Sequence, residues 1–350
     1  MLAIGVLAAS LLALGVWIHR RRSRASPVSP RFAPEGAPHH APVLSAAAVD
    51  LTVLQRANRR AAQRLWKLAF TAPPQSPSPA ALTVRIRDDI EAMLLVDTVD
   101  PDYFPRRPAL LPQLLQAVDD PTVRSEKIAR MIAHDPVLTA DVLHLANSSL
   151  YRLSPIPIET IQRAIVVCGV DALRGMMAAA LMRPVFRATR KNFPRLPRML
   201  WERTEFAARA AELYAMEADP ADRFEAQLVA LLSALGPLVV YGAALDVFNR
   251  NPHFPPQGSL CTELIATLAP QMSQRIAREW RTSPRLVAAL EGSAAESLTA
   301  ALQMGELLGT LCFLESQTVI SRKDRLEAID DAGIAGESTS RIWAGLTATA

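Results

Sequence analysis

Apolar residues recur at helical spacing along most of this chain, and the clearest example is the segment at residues 134–149. Asp135 can cap a helix, and Pro136 suits the first helical position, where its missing N–H costs nothing. The apolar stripe that follows has spacings of four and then three residues: Leu138, Val142 and Leu145. We therefore predict an amphipathic helix here, whose apolar face packs against neighbouring helices.

The chain from residue 80 onward shows the same periodicity with short breaks, and no segment sustains the alternation typical of a β-strand. Ser125 and Asp171 are each placed to cap a further helix. The other predicted helices cover residues 84–96, 110–118, 160–168, 199–218, 225–235, 238–247, 261–268, 272–280, 284–290 and 298–314. The predicted fold class is all-α, a multi-helix bundle at residues 81–330, followed by a flexible Gly/Ser/Thr-rich tail at residues 331–350.

Residues 1–18 contain no charged side chain and are apolar almost throughout. As a helix this run would be about 27 Å long, close to the hydrocarbon thickness of a bilayer. Its membrane-interface residues would be one aromatic residue and the arginines that follow: Trp17, Arg20, Arg21, Arg22 and Arg24. A cleaved signal peptide would need positive charge before the apolar run, whereas here the charge comes after it. We predict a retained single-pass transmembrane anchor at residues 1–19, with the C-terminal body in the cytoplasm.

Two proline-rich segments separate this anchor from the predicted bundle. Residues 20–45 are basic and contain five prolines, and residues 71–80 contain four, so both are predicted to be disordered or extended linkers. Between them, residues 46–70 predict a basic amphipathic helix. Either residues 51–68 lie on anionic lipid, or they form a solvated helix with a short packing stripe, and the sequence leaves both alternatives open.

The formal net charge of +4 conceals a basic N-terminal arm. Residues 19–67 carry ten Lys or Arg side chains against two acidic ones, which leaves 28 basic and 32 acidic side chains elsewhere. A mildly acidic globular part argues against a nucleic-acid partner, and none is expected. The three cysteines are widely separated in apolar surroundings and form no ligand pattern: Cys168, Cys261 and Cys312. We interpret them as small core side chains in a reducing compartment.

Several short motifs occur in order across the middle of the chain. They are Leu111-Pro112, Asp120-Pro121, Ile128-Ala129, Asp135–Thr139 and Leu145–Ser148, then Ile158, Ile161, Ala164-Ile165, Gly169 and Leu173-Arg174. In this order the motifs resemble the HDOD domain, an all-helical signalling relative of the HD metal-dependent phosphohydrolases, and the resemblance extends over residues 110–314. It implies an HD-like helical bundle used in bacterial signal transduction, usually without demonstrated catalysis. Together with the predicted anchor, it places the chain at the bacterial inner membrane.

An HD-type active site needs histidine ligands and a His-Asp pair to hold divalent metal, which supplies a water of low pKa and binds the phosphate. In this sequence Arg203 stands about where the first ligand helix would carry its histidine. Ser233 and Ala234 stand where the His-Asp pair would be. The only histidine after Tyr151 is His253, in a proline-rich loop. We therefore expect no metal, no cofactor and no enzymatic activity.

The candidate interaction residues are polar side chains of the resembling region: Asp135, Asn147, Tyr151, Arg183, Arg187 and Arg203. For Asp135 a capping role is favoured over a role as an acid, and for Asn147 a structural capping role is favoured over a contact role. The basic run that includes Arg183 and Arg187 is either a solvated face or a site for an acidic partner or a nucleotide phosphate.

Two hypotheses for function follow from these residues. The main hypothesis is a non-enzymatic signal-transduction module that binds an unidentified partner protein at the cytoplasmic face of the inner membrane. The alternative is a nucleotide-sensing domain, in which a remnant HD cavity binds its ligand without hydrolysis. In that alternative an arginine such as Arg203 replaces the metal as the partner of a phosphate.

Overall fold

The computed structural model describes one body of the chain, which belongs to residues 46–350. The described residues are 49–70, 80–96, 105–119, 125–152, 156–183, 185, 193–219, 222–293 and 296–347. The predicted anchor at residues 1–19, its five interface residues, the linker at residues 20–45, residues 71–79 and Arg187 lie outside the described residues.

Within the described ranges the chain forms fifteen α-helices and no β-strand, which confirms the all-α class. In chain order they are α1 Leu51–Ala69, α2 Ala80–Leu95, α3 Leu111–Asp119, α4 Ser125–Ala133, α5 Pro136–Ala146, α6 Ile161–Cys168, α7 Val170–Met182, α8 Leu196–Ala218, α9 Arg223–Ser233, α10 Leu235–Arg250, α11 Gly258–Glu279, α12 Pro284–Glu291, α13 Glu296–Ser316, α14 Arg322–Asp331 and α15 Glu337–Thr347. Helices α3 to α7 pack on one another as a first group. Helices α8 to α13 form a second group, and α9 contacts α7 of the first.

Helix α5 is the amphipathic helix expected from the spacing of its apolar residues. A carboxylate oxygen of Asp135 accepts hydrogen bonds from the backbone N–H groups of Val137, at 2.8 Å, and Leu138, at 3.1 Å. Pro136 occupies the first turn. The whole apolar stripe is buried: Leu138, Val142 and Leu145. The N-terminal cap and the buried face of α5 are therefore both confirmed.

Helices α8 and α13 lie at the centre of the second group because small residues let their backbones approach closely. A Cβ atom added at Gly309 of α13 would lie 2.4 Å from the backbone nitrogen of Ala207 in α8. Residues 223–250 and 297–316 have the length and hydropathy of membrane-spanning helices, but 83% of the apolar window in each is buried inside the bundle. Packing against other helices accounts for the hydropathy of both stretches.

Helix α1 is an integral part of the bundle. Asp50 caps it by accepting hydrogen bonds from the backbone N–H groups of Thr52 and Val53. Its apolar face packs against α11 and α13 and buries Leu54, Ala57, Ala61, Leu65, Trp66 and Ala69. Residues 46–70 and the domain predicted at residues 81–330 are therefore not separate in the structure, because the buried side chains of α1 belong to the same core.

Two of the breaks predicted between helices are not at the predicted positions in the structure. The helices predicted at residues 261–268 and 272–280 form the single helix α11, with Pro270 inside it. A proline removes one backbone hydrogen bond, but the packing of α11 on α10, α9 and α12 keeps the helix continuous. The break predicted at Gly236 lies two residues earlier, at Ala234, between α9 and α10.

The prediction of a flexible tail at residues 331–350 is wrong for residues 337–347, which form α15. This helix packs on α8 and buries Ile342 and Leu346. The guanidinium of Arg341 binds the carboxylate of Glu217 in α8, at 2.9 Å and 3.1 Å. The Gly/Ser/Thr composition suggested fraying, but two buried apolar residues and this ion pair hold the segment against the bundle.

Candidate functional site

A cleft of about 640 Å³ opens between helices α1, α8, α11 and α13. Its polar lining consists of Gln55, Asn58, Arg59, Gln63, Arg203, Ser233, Ser259, Thr262, Glu263, Ser273, Gln303, Glu306 and Thr310. The fold thus brings Arg203 and Ser233, which are remote in sequence, to the same cleft. A cleft of this volume is in the size range of sites for small organic ligands.

Arg203 of α8 is held against the cleft wall by residues of α13. Its Nε donates a hydrogen bond to Thr310 Oγ1 at 2.9 Å, and its Nη2 lies 3.8 Å from a carboxylate oxygen of Glu306. The side chain is 12% exposed, and this burial lowers the pKa of the guanidinium, while the negative charge of Glu306 opposes the shift. Arginine remains cationic in proteins, so the residue can hold an anionic group but cannot ligate a metal.

Ser233 and Ala234 form the junction between α9 and α10. The Ser233 hydroxyl donates to the carbonyl of Ala230 at 2.9 Å, so its hydrogen is used within α9. The Ser273 hydroxyl of α11 donates to the Ser233 carbonyl at 2.9 Å and accepts from the Gly236 N–H at 3.1 Å. Ala234 is 1% exposed. This junction is therefore a packed crossing of helices with no strong metal ligand.

Helix α1 supplies the opposite wall of the cleft and is tied to α13 by an amide pair. The Nδ2 of Asn58 donates to the carbonyl oxygen of Gln303 at 2.9 Å and to its side-chain Oε1 at 3.0 Å. Trp66 contributes an aromatic surface to the lining. The carboxylate of Glu263, in α11, is bound by Arg87 at 2.7 Å. The cleft thus combines amides, two arginines and an aromatic side chain.

The sequence matches the HDOD domain family over residues 104–295, which is more than half of the chain. This chain belongs to the HDOD family. No curated protein matches the sequence of this HDOD chain.

Solved structures share the fold of this HDOD chain. An HDOD domain protein of unknown function from Geobacter sulfurreducens has 20% identity and a TM-score of 0.51, and the match covers 77% of this chain and 95% of that protein. A candidate metal-dependent phosphohydrolase from Shewanella amazonensis SB2B has 15% identity and a TM-score of 0.51, covering 77% and 98%. A second candidate phosphohydrolase from that organism has 21% identity and a TM-score of 0.50, covering 70% and 94%. At these identities the likeness shows the fold alone.

A divalent metal does not fit the three residues of this HDOD chain that the resemblance aligns with the ligand positions of HD enzymes. Arg203 carries a positive charge, the Ser233 hydroxyl is engaged within its own helix, and Ala234 has no donor atom. Across the described part of the chain, no group of three or more His, Cys, Asp or Glu side chains could hold a metal ion.

Two of the candidate interaction residues of the HDOD domain lie at the two ends of α5. Asp135 is exposed and caps the N-terminus. Asn147 donates from Nδ2 to the carbonyls of Leu143, at 2.9 Å, and Ile158, at 2.8 Å. Its Oδ1 accepts from the N–H of Ile158 at 2.8 Å. Asn147 therefore joins the end of α5 to the segment that precedes α6, which agrees with the structural role favoured from the sequence.

Tyr151 lies inside the HDOD domain. Its hydroxyl accepts a hydrogen bond from Gln227 Nε2 at 2.8 Å, and the guanidinium of Arg209 lies 5.0 Å from the ring centroid. Burial raises the pKa of the phenol, and the negative charge of Glu212 adds to the shift. These contacts place Tyr151 in the polar contact between the two helix groups, where a partner protein could not reach it directly.

Arg183, at the end of α7, links α5 to α8. Its Nη1 lies 3.2 Å from a carboxylate oxygen of Asp141 in α5. It also attracts the carboxylate of Glu205 in α8. Burial nevertheless raises the pKa of Glu205 from 4.5 to about 7. The candidate residues that the structure describes are thus dispersed over separate elements, and of these only Arg203 lies in the cleft.

The sequence did not identify the α1 and α13 sides of the site. Asn58, Arg59 and Trp66 are remote in sequence from Gln303, and the hydrogen-bonded pair of Asn58 and Gln303 is separated by 245 positions. In the sequence, Arg59 is recognisable only as one of several basic residues of α1. Nothing local in either helix indicates that the two share a cleft, because that depends on tertiary packing.

Proposed function

We propose that this HDOD chain is a non-enzymatic signalling module that binds a partner protein at the cytoplasmic face of the bacterial inner membrane. One observation carries the non-enzymatic part of the proposal. The residues that the resemblance aligns with the metal-binding positions of an HD enzyme are Arg203, Ser233 and Ala234, and each is engaged in another contact or in packing. None of these three side chains is an imidazole or a carboxylate, so they supply no metal site that would lower the pKa of a water for attack on phosphorus.

The membrane part of the proposal rests on the uncharged residues 1–18 and the arginines that follow them. Helix α1 supports it in a restricted way. Its apolar face is buried in the bundle, so it has no apolar face left to insert into lipid. Its cations are exposed, at Arg56, Arg59, Arg60, Arg64 and Lys67, and of these Arg59 lines the cleft and Arg60 pairs with Asp331 at 3.1 Å. These side chains suit electrostatic contact between residues 51–68 and anionic headgroups.

The surface that we propose for the partner lies on α4, α5 and α6. Three large apolar side chains are unusually exposed on α5, on α6 and in the segment before α6: Val137 at 62%, Val166 at 76% and Ile156 at 64%. Grooves of about 560 Å³ and 460 Å³ flank α4, and Arg130 lines both. Exposed apolar residues beside grooves are typical of protein–protein contact sites.

The non-enzymatic proposal is tested with the purified full chain, incubated with Mn²⁺ and either cyclic dinucleotides or phosphate monoesters. We expect no product above that of a heat-inactivated sample. Hydrolysis that follows the folded protein through chromatography would contradict the proposal.

The partner proposal is tested by crosslinking and pull-down of the anchored protein. Val166→Asp places a charge on the proposed surface and should abolish recovery of the partner. The matched control is Val319→Asp, at a position 40% exposed between α13 and α14, which should leave recovery unchanged. Deletion of residues 1–45 tests the anchor while keeping α1, which the core requires. Equal loss in both valine variants would count against the α4–α6 surface.

A second candidate function is recognition of a small ligand in the cleft without hydrolysis. It is favoured by the observation that Arg203 and Ser233 line one cleft of about 640 Å³. A ligand that binds only the folded chain raises its melting temperature, so thermal-shift measurements with nucleotides test this function. No shift with any nucleotide at millimolar concentration would remove it.

A further inference from the structure

The charges of the cleft leave one cation without a partner. Of the four charged side chains in its lining, Arg203 lies beside Glu306 at 3.8 Å, and Glu263 is bound by Arg87 at 2.7 Å. Arg59 of α1 is exposed and forms no ion pair with any described residue. The cleft therefore has one positive charge available for a ligand. A guanidinium suits a phosphate or carboxylate, which it can bind through two parallel hydrogen bonds.

The remaining lining suits a flat, polar ring. Trp66, Leu200 and Ile265 provide aromatic and apolar surface. Gln55 and Gln63 are exposed and make no side-chain hydrogen bond to a described residue, so their amides can both donate and accept. Such a combination fits the faces and the hydrogen-bonding edges of a heterocyclic base.

A further acceptor comes from the proline in α11. Pro270 has no N–H group, so it cannot donate to the carbonyl of Ala266 one turn earlier. Both residues line the cleft. The helix therefore leaves a backbone acceptor without its usual donor within the lining, and an exocyclic amine of a base could supply that donor.

We infer that the cleft binds a planar heterocycle that carries a single anionic group, as a nucleoside monophosphate does, and that this ligand bridges α1 to the bundle. The inference rests on the second candidate function. A cyclic dinucleotide has two phosphates, and one of them would have no free cation in the cleft. The α1 wall lies before the family match at residues 104–295, so recognition of the ligand depends on residues outside that match. Occupancy would add contacts between α1 and the rest of the bundle and so stabilise α1 against local opening.

The test uses the full chain in detergent micelles and isothermal titration with four kinds of probe. They are adenosine and guanosine monophosphates, the two nucleosides, inorganic phosphate, and the corresponding cyclic dinucleotides. Three variants accompany the native chain. Arg59→Ala removes the free cation, Ala266→Trp fills the cleft at an exposed position, and Arg56→Ala removes an exposed cation of α1 that does not line the cleft.

We expect a monophosphate to bind the native chain and Arg59→Ala to weaken its binding by about tenfold or more. Arg56→Ala should bind normally, Ala266→Trp should not bind, and the nucleosides should bind the native chain and Arg59→Ala equally weakly. Hydrogen exchange in α1 should slow when the monophosphate is bound. Melting temperatures of the free variants report whether each one folds.

Each of the other possible results contradicts one part of the inference. Binding of a cyclic dinucleotide alone, or unchanged affinity in Arg59→Ala, overturns the ligand class but leaves ligand recognition in the cleft standing. Retained binding in Ala266→Trp overturns the site. Unchanged exchange in α1 overturns the bridging of α1 to the bundle. Failure of every probe at millimolar concentration overturns both this inference and the second candidate function.

Discussion

Helix α5 and the junction between α9 and α10 differ in where the hydrogen-bond partners of their terminal backbone groups come from. At α5, Asp135 caps the first turn and Asn147 closes the last, so the partners lie within eleven positions of each other. At the junction, the carbonyl of Ser233 and the N–H of Gly236 are both bound by Ser273 of α11, 40 and 37 positions away. The first arrangement is local and can be inferred from the sequence. The second exists only when α11 is in place.

This difference affects how well each region tolerates substitutions. A local cap leaves the surrounding packing free to vary, whereas a remote hydroxyl requires the helices to cross at a fixed distance. At the junction that distance is very short, because a Cβ atom at Gly236 would lie 2.0 Å from the carbonyl oxygen of Ala269. We therefore expect substitutions at the junction to cost more stability than substitutions at the caps of α5.

The largest effect is expected from Gly236→Ala. The new methyl group cannot fit unless the backbone of α11 moves, so the free energy of unfolding should fall by about 3 kcal/mol or more. Chemical denaturation followed by circular dichroism measures this change. The hydrogen bonds to Ser273 would be lost in the same movement.

The matched control is Gly336→Ala, in the exposed turn before α15. A Cβ atom there meets no other atom within 4 Å. Its effect should stay within about 0.5 kcal/mol, because only the freedom of the unfolded chain changes. If both substitutions lower the free energy of unfolding equally, the junction is no more sensitive to close packing than an ordinary turn.

A smaller loss is expected from Asn147→Ala at the end of α5. The substitution removes the hydrogen bonds to Leu143 and Ile158 and leaves the half-buried groups of Ile158 unpaired. The free energy of unfolding should fall by about 2 kcal/mol. Denaturant titration of the variant beside the native chain measures it.

Asn251→Ala provides the comparison for that variant. Asn251 caps α10 and donates one bond, to the carbonyl of Val247 in its own helix, at 2.8 Å. Its loss should cost about 0.5–1 kcal/mol. If Asn147→Ala costs no more than this, the connection from α5 to Ile158 contributes nothing beyond an ordinary cap.

The same contrast between local and remote contacts separates what the sequence could predict from what it could not. The period of Leu138, Val142 and Leu145 and the capping residue before them were sufficient to place α5, since these signals lie within one helix. The proline at position 270 predicted a break that does not occur, because the contacts that keep α11 continuous come from other helices.

The cleft shows the same limit. Arg203 and Ser233 were singled out by the resemblance and do line it. The α1 wall was not foreseen, because the pairing of Asn58 with Gln303 depends on the packing of α1 against α13. The prediction for the tail was wrong for the same reason. Its composition is that of a flexible segment, but Arg341 binds Glu217 on a helix more than a hundred positions earlier.

The smallest effect is expected at Glu205 of α8, beside the Arg183 that binds Asp141 of α5. Burial raises the pKa of Glu205 from 4.5 to about 7, so the folded chain holds a proton that the unfolded chain has released. The stability that this proton contributes is full below the unfolded pKa of 4.5 and is lost as the pH rises through about 7.

Glu205→Gln, which resembles the protonated acid, should therefore be about as stable as the native chain at about pH 4, below the unfolded pKa. At about pH 8 it should be more stable by at least about 1 kcal/mol, because the native carboxylate is then charged in a poorly solvated position. Denaturation at the two pH values measures the difference, and the acidic value serves as the control. A difference that is the same at both pH values would mean that the charge of Arg183 compensates the ionised carboxylate fully. The contact between α5 and α8 would then be as well satisfied as the caps of α5 itself.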